Sequence, residues 1–519
     1  MQTKAKIEAQ RQIIQRNLDA QKTKEQRNIL GQFSTPITFA NDILQYAAKI
    51  MPKHEKIRFL DPAIGTGAFF SALNNVIPST HIEAATGYEV DEHYGNPSRE
   101  LWSKSILNYQ LADFTKVTPP INENQKFNLI ICNPPYVRHH YINGQKERLQ
   151  LEALNAANMK LSGLSGLYCY FMALSHRWMT SEGIAGWLIP SEFMDVNYGQ
   201  AVKNYLLNEV SLLQIHRFDP KDVQFDDALV SSAVVWFQKK KPNVNHKVKF
   251  TYGGTINHPL HEKEVITEVL ANEKKWTRFP LNNERRISIT PRLSDFFSVK
   301  RGIATGDNKY FILTKSIIEE QRFPLSQFKP ILPSPRYLSE TEVKTDNLGY
   351  PLIENKLFVL DCKLQLNEVE RLYPELYEYI QEGVKSGVSD RYLCKNRKIW
   401  YAQENRIESP FYCTYIGRSD KEGKKPFRFI LNHSKAIVAN SYLILYPKPE
   451  LMAVIAHYPE MTEIFFEALN NTTERAMLDE GRVYGGGMHK LEPSELANIP
   501  APEILRLIKG ANHKYHLAC

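Results

Sequence analysis

The chain has 519 residues, of which 43% are hydrophobic, 24% charged and 11% aromatic, a composition that excludes wholesale disorder, a collagen-like chain and a coiled coil. At roughly 150 residues per domain there is room for two to four domains, and no apolar run approaches the roughly 18 residues of a membrane span. The net charge of +8 is uneven: residues 1–30 carry 7 basic and 3 acidic groups, residues 31–240 carry 18 and 20, and residues 241–519 carry 40 and 34. A polyanionic partner would therefore be held mainly by the two ends of the chain, because phosphate contacts come largely from Lys and Arg.

The N-terminus is charged throughout and has no apolar core followed by small residues, which argues against a signal peptide and for a cytosolic protein. Residues 4–29 contain neither Gly nor Pro and place Ile7, Ile14 and Leu18 at helical spacing. That predicts one basic amphipathic helix over residues 1–30, ending near Gly31. From Ile57 short apolar runs alternate with helical stretches: IRFLD before a Gly turn and GAFFSALNNV, then HIEAATGYEV before DEHYGNPSRELWSKSI, then FNLIICN. The rhythm is βαβαβ, which implies a parallel sheet with helices on both faces and ligands at the carboxyl ends of its strands. Further strands at IAGWLIP, LLQIHRFD and SSAVVWFQ complete that sheet by Gln238. The basic, Pro- and Asn-containing segment 239–250 reads as a linker, so the main boundary falls between a domain at 31–245 and another at 246–519. In the second half no βαβ rhythm returns and Tyr and Phe interleave with Lys and Arg, as in RYLCKNRKIWY (391–401). We expect an α+β domain there. The six cysteines are far apart with no C-x-x-C pair, which predicts reduced thiols and no structural metal.

The chemistry-bearing residues begin at LDPAIGTGAFF, where a strand ends at Asp61 and Gly65 and Gly67 turn tightly into a helix. Glycines let the backbone pass close to a ligand, and the helix N-terminus presents free N–H groups. Glu89 ends the next strand, 24 residues after Gly65, where a carboxylate can accept bonds from two ribose hydroxyls. Asp113 falls at a third strand end, placed to accept from an adenine amine with Phe114 against the ring. Then come Asn133, Pro134, Pro135 and Tyr136. Two consecutive prolines remove two donors and hold the chain extended, so what remains is an acceptor cluster. The Asn133 side-chain oxygen and the Pro134 carbonyl can point at one amino group, and the Tyr136 ring offers a face for stacking. Such a site suits an sp² amine such as N6 of adenine.

These motifs resemble, in order, those of the γ-class DNA adenine-N6 methyltransferases of restriction–modification systems, which use S-adenosylmethionine. GQFSTP (31–36) is similar to the motif that precedes the glycine loop in that family and contacts the methionine part of the cofactor, which implicates Phe33, Thr35 and Pro36. The glycine-loop match adds Asp61, Ala63, Gly65 and Gly67 to the cofactor site, and the later matches add Glu89, Asp113, Phe114 and Asn133. Asn133, Pro134 and Tyr136 are the implied catalytic group. VQFDDALVSSAVVWFQ resembles the motif whose aromatic, here Phe225, stacks on the target base opposite Tyr136; a core position for Phe225 stays open. The resemblance implies a Rossmann-like class I methyltransferase domain, with a mostly parallel seven-stranded sheet and helices on both faces, followed by an α+β target-recognition domain.

Two C-terminal segments, 299–313 and 484–502, are similar to elements of such recognition domains. In the second, Gly485, Gly486 and Gly487 either allow close approach to DNA, flanked by Arg482, His489 and Lys490, or form a flexible loop. Arg391, Arg397, Lys424, Lys425 and Arg428 are further candidate phosphate contacts. The implied partner is duplex DNA, from which the target adenine must be flipped. The 30 residues before Gly31 are too few for a nuclease and the C-terminal half shows no carboxylate–carboxylate–lysine cluster, so any cleavage would come from a separate endonuclease; a continuous asymmetric site suits a monomer. Cys132 reads as a strand-core thiol, since a cytosine-C5 nucleophile belongs to a Pro-Cys motif. The nearest rival is methylation of a protein glutamine or an RNA amine, whose enzymes are generally shorter and lack a large basic C-terminal domain. A non-catalytic DNA-binding subunit would be expected to lose Asn133 or Tyr136, and both are present.

Overall fold

The computed structural model describes residues 4–142, 144–219, 231–281, 290–418, 425–484 and 488–518. The N-terminal segment forms two helices rather than the single one expected, α1 (Lys4–Ala20) and α2 (Lys24–Leu30). Thr23 explains the break: its backbone is extended, its side chain accepts from the Gln26 N–H, and the Gln26 side chain answers the Thr23 N–H, a reciprocal cap that starts a new helix. Gly31, at φ +64°, ends α2, and α3 (Ile37–Ile50) follows Pro36.

The expected alternation is then realised as β1 (Ile57–Asp61), α4 (Ala68–Val76), β2 (Ile82–Glu89), α5 (Glu92–Leu101), β3 (Leu107–Leu111) and β4 (Phe127–Cys132). After α6 (Lys146–Ala157) and α7 (Leu167–Ser175) come β5 (Met179–Pro190), α8 (Gln200–Asn208), β6 (Ser211–Arg217), β7 (Ser232–Gln238), β8 (Lys247–Gly254) and β9 (Pro259–Ile266). All nine strands form one sheet in the order β3-β2-β1-β4-β5-β7-β6-β8-β9. β1 to β5 run parallel, while β7 is antiparallel to both neighbours. The order reverses at β1, whose neighbours are β2 and β4, and a crevice opens at such a switch point.

The strands are apolar on both faces because both are covered. Phe59, Leu129, Ile131, Val234 and Trp236 pack with Leu44 of α3 and Phe70 of α4. Their sequence neighbours Leu60, Ile130, Cys132, Val235 and Phe237 pack with Met172 of α7 and Leu206 of α8. Burial of each large side chain contributes about 1.5–3 kcal/mol, so the ends of β1, β2 and β4 are held by packing on both faces of the sheet.

The sheet has two strands more than the seven expected. Segment 239–250, read as a linker, instead leads into an edge hairpin in which β8 pairs parallel with β6 and β9 pairs antiparallel with β8. Val248 and Phe250 are buried, and the exposed face carries the cross-strand pairs Lys247–Glu264 at 3.2 Å and Lys249–Glu262 at 2.8 Å. Charge on an edge strand blocks further pairing, and that charge is what made the hairpin resemble a linker. The chain accordingly divides into Met1–Arg285 and Arg286–Cys519, later than the boundary expected after residue 245.

The second unit is α+β. Five short strands lie in the order Phe297–Arg301, Tyr442–Pro447, Phe411–Thr414, Phe429–Asn432 and Glu342–Val343, antiparallel except for the last pair. Two three-stranded sheets and helices including Pro374–Lys385 and Met461–Asn470 complete it. No helix among the described residues is long and apolar enough to cross a membrane.

Candidate active site

Parallel pairing brings the ends of four strands into one row. β1 ends at Asp61 and β2 at Glu89, β3 leads through Ala112 to Asp113, and β4 ends at Cys132 beside Asn133. A cavity of about 310 Å³ opens over this row. Ala63, Gly65, Glu89, Asp113, Phe114 and Asn133 all line it, together with Phe33 from the segment before α3.

The glycine loop is fixed from behind. Tyr109 donates to the Gly65 carbonyl at 2.6 Å, the Gly65 N–H donates to Glu89 Oε2 at 3.1 Å, and the Asp91 N–H donates to Glu89 Oε1 at 2.8 Å. Gly65 sits at φ +53°, and a Cβ there would meet no atom within 4 Å. Its missing side chain leaves open space. Gly67 differs: a Cβ there would lie 2.5 Å from Nε1 of Trp102, which donates to the Thr66 carbonyl. Gly67 therefore serves packing behind the loop, and it does not line the cavity.

Asp61 also stands behind the cavity wall. It is buried and accepts from the Ala63 N–H at 3.1 Å. Burial pushes its carboxyl up to about 8, with the charge of Glu89 adding to the effect and the Ala63 N–H opposing it. Burial raises Glu89 as well. Two acidic groups are thus held where a cation would relieve them. Asp113 is more heavily engaged than expected: Oδ1 accepts from the N–H and hydroxyl of Thr115, and Oδ2 lies 3.3 Å from Lys116. Phe114 packs against Tyr88, Phe171 and Trp178 with ring centroids 5.2–5.6 Å away. Tyr88, Ile142, Leu167 and Phe171 add apolar wall to the cavity. Arg148 ties α6 to the Phe114 loop by donating to the Thr115 carbonyl at 2.9 Å.

The Asn-Pro-Pro-Tyr segment is clamped by residues 31–35. The Tyr136 N–H donates to the Gly31 carbonyl at 3.2 Å, and a Cβ on Gly31 would lie 2.4 Å from that same nitrogen. Asn133 Nδ2 donates to the Phe33 carbonyl and to Thr35 Oγ1, each at 3.1 Å. A carbonyl only accepts, so the amide nitrogen must face it. Asn133 Oδ1 is consequently fixed on the other side, buried and without a hydrogen-bond partner among the described residues. Tyr136 donates to the Leu188 carbonyl at 3.1 Å, burial raises its phenol, and its ring centre lies 5.7 Å from that of Phe33. Pro36 starts α3, and Pro134 is buried. Burial also holds the Cys132 thiol well above its usual range, which suits a core thiol rather than a nucleophile. Replacing Gly31 by Ala is expected to cost about 1–3 kcal/mol of stability through a backbone clash at positive φ. It should also slow the chemical step, which a thermal melt and a single-turnover assay would read separately.

Several expected phosphate contacts have other work. Arg397 donates to the Ala304 and Thr305 carbonyls at 2.6 and 3.0 Å, and Arg428 to the Ser339, Pro335 and Leu338 carbonyls at 2.6–3.0 Å. Guanidinium groups bonded this way tie loops to their own unit, which revises the expectation for both. Arg482 pairs with Glu495 at 2.7 Å, Lys490 pairs with Glu492 at 2.8 Å, and His489 is buried. Arg391 is half-exposed and paired with Asp307 at 2.9 Å, and Lys425 is exposed. Phe225, Lys424 and Gly485 to Gly487 lie outside the described residues.

Sequence reasoning missed Gln15 and Asp19 of α1 as cavity-lining residues. The available signal was a polar stripe, Glu8, Arg11 and Gln15, on the same side of the helix as Leu18.

Comparison with known proteins agrees with this layout. Residues 73–224 match the family model described as Eco57I restriction-modification methylase, and residues 273–517 match that of the C-terminal domain of the Type II methyltransferase M.Eco57I. The Type II methyltransferase M.AccI of Acinetobacter calcoaceticus is 26% identical over 502 residues, covering 93% of this chain and 87% of the relative. M.XamI of Xanthomonas campestris pv. amaranthicola is 24% identical over 489 residues, covering 92% and 86%. Among solved structures, the Type IIL restriction-modification enzyme MmeI in complex with DNA shares the fold at 13% identity and a TM-score of 0.51, covering 95% of this chain and 77% of that one. With its glycine loop, acidic strand ends and Asn-Pro-Pro-Tyr segment set on this sheet, and with relatives matched over nearly its whole length, the chain belongs to the S-adenosylmethionine-dependent DNA methyltransferases of restriction–modification systems.

Proposed function

We propose that the enzyme methylates N6 of adenine, and that the buried, unpartnered oxygen of Asn133 carries this assignment. An exocyclic amine brings two N–H donors. Asn133 Oδ1 takes one and the Pro134 carbonyl the other, which draws the nitrogen lone pair out of conjugation. S-adenosylmethionine, when bound, supplies an electrophilic methyl on a sulfonium sulfur. Held by Gly65, Glu89 and the wall around Phe114, the cofactor would give its methyl to N6 with the bonding pair left on sulfur, and N6 would release its proton to water. Asn133 and Pro134 stabilise the positive charge that grows on N6 with dipoles already in place. The adenine must leave the duplex to reach them, and the cost of unstacking, on the order of a few kcal/mol, is offset by stacking on Tyr136 and Phe225.

The cavity fits the cofactor. Glu89 keeps acceptor capacity for ribose hydroxyls, since a carboxylate has about four acceptor sites; Gly65 leaves space for close approach; and the apolar wall around Phe114 suits the adenine ring. Because the ligand is cationic, it favours ionised Asp61 and Glu89. Below about pH 8 binding should therefore release a proton, and affinity should weaken as pH falls, by up to about tenfold per unit for one coupled group. Titration calorimetry from pH 8 to 6 would show this, and Asp61→Asn should flatten it. The ligand-free fold behaves in the opposite sense. Asp61 binds its proton more tightly when folded than at its usual 3.8, so stability should decline as pH rises from about 4 to about 8.

The Arg286–Cys519 unit is the target-recognition domain in this reading, with Lys425 and Arg391 as its phosphate contacts. The enzyme acts as a monomer, with any cleavage supplied by a separate endonuclease. Single-molecule sequencing of DNA from cells expressing the chain or its Asn133→Ala variant tests the assignment. A motif carrying N6-methyladenine only with the intact chain supports it; folded, cofactor-binding protein with no modified base would favour a protein or RNA substrate.

A further inference from the structure

α1 does not behave as a basic arm. Its inner face is polar and buried against the cofactor-binding loops. Arg11 pairs with Glu8 at 2.7 Å and donates to Thr66 Oγ1 at 2.9 Å, and Ser71 donates to Glu8 at 2.5 Å. Thr66, inside the glycine loop, donates to Gln15 Oε1 at 2.6 Å, so the loop and the helix share one hydrogen-bond chain. At the other end of the helix Tyr94 donates to Asp19 Oδ1 at 2.8 Å, the ring of His93 contacts the Leu18 carbonyl at 3.0 Å, and Lys22 and Gln32 both bond Asp91. Asp91 is the cap of α5, two residues beyond Glu89. Gln15 and Asp19 both line the cavity.

From this juxtaposition we propose that α1 is a working wall of the cofactor site, with the Asp19 carboxylate accepting a hydrogen bond from a donor group of the bound cofactor. The proposal rests on the assignment of the cavity to S-adenosylmethionine. Gln15 Nε2 lies 3.0 Å from both Asp19 oxygens and fixes the carboxylate plane. Arg27 lies 4.0 Å from Oδ1. With Gln15 and Tyr94 as donors the carboxylate retains acceptor capacity on the cavity side. With the adenine and its amine placed at the apolar wall around Phe114, two donor groups of the cofactor remain for Asp19, the ribose hydroxyls and the α-ammonium.

Calorimetric binding of S-adenosylhomocysteine and of 5′-methylthioadenosine, which keeps the ribose but lacks the amino-acid end, distinguishes them. Asp19→Asn in the full-length chain is expected to weaken S-adenosylhomocysteine about tenfold, the size of a lost bond to a charged group. Loss confined to S-adenosylhomocysteine assigns the contact to the α-ammonium, and loss shared by both probes assigns it to the ribose. Ile13→Gln, on the exposed face of α1, should change neither. Ser71→Ala removes the bond from α4 to Glu8 and so loosens the docking of α1 at residues that do not line the cavity; an equal loss in that variant would assign the effect to docking and overturn the proposal. Unchanged affinity in Asp19→Asn would overturn it too, while a wild-type chain that binds neither probe would sink the cavity assignment itself.

Discussion

Replacing Asn133 by Ala is expected to slow methyl transfer by about a hundred- to a thousandfold while changing the affinity for S-adenosylhomocysteine by less than about threefold, the pattern of a group that acts on the transition state rather than on binding. The size follows from geometry. Oδ1 is held in place before substrate arrives, since Nδ2 is committed to the Phe33 carbonyl and Thr35 Oγ1, and a preorganised dipole facing developing charge in a dry site commonly contributes about 3–4 kcal/mol. Asn133→Asp is the stricter comparison. It keeps an oxygen where Oδ1 sits but places a second oxygen against the Phe33 carbonyl, which repels it. Both variants should fail in a single-turnover assay with labelled cofactor. A loss of cofactor binding as large as the loss of rate would mean that Asn133 only braces the cavity.

What could be read from the sequence divides along a physical line. The glycine loop, Glu89 and Asn133 were legible because each strand end brings its chemistry within a few contiguous residues, and parallel pairing can only place those ends side by side. Gly67 was legible as a glycine but not in its role, because its constraint is Trp102, a residue of distant sequence. Arg397 and Arg428 show the same limit more sharply. Nothing within an arginine's own neighbourhood tells whether carbonyls such as those of Ala304 or Pro335 will reach it first. The part played by α1 was hidden for another reason. Its buried positions include Glu8 and Arg11, and a reading based on apolar periodicity sees a polar stripe as solvent-facing.

The edge hairpin β8–β9 leads to the second large effect. A chain ending at residue 245 removes both strands and exposes the edge of β6, where Ile215 is buried; exposed edges of this kind pair with other chains. That fragment is expected to aggregate. A chain ending at residue 285 keeps the nine-stranded sheet and both of its packed faces, and should stay folded and bind S-adenosylhomocysteine within about threefold of the intact protein. It should nonetheless lose specific DNA affinity by about a thousandfold, down to the level of non-specific contacts, because target recognition is assigned to the unit it lacks. Size-exclusion chromatography separates the two fragments, and fluorescence anisotropy with the methylated-site duplex measures the loss. If the 285-residue fragment retained site-specific binding, recognition would have to be built into loops of the methyltransferase sheet, and the second unit would need another role.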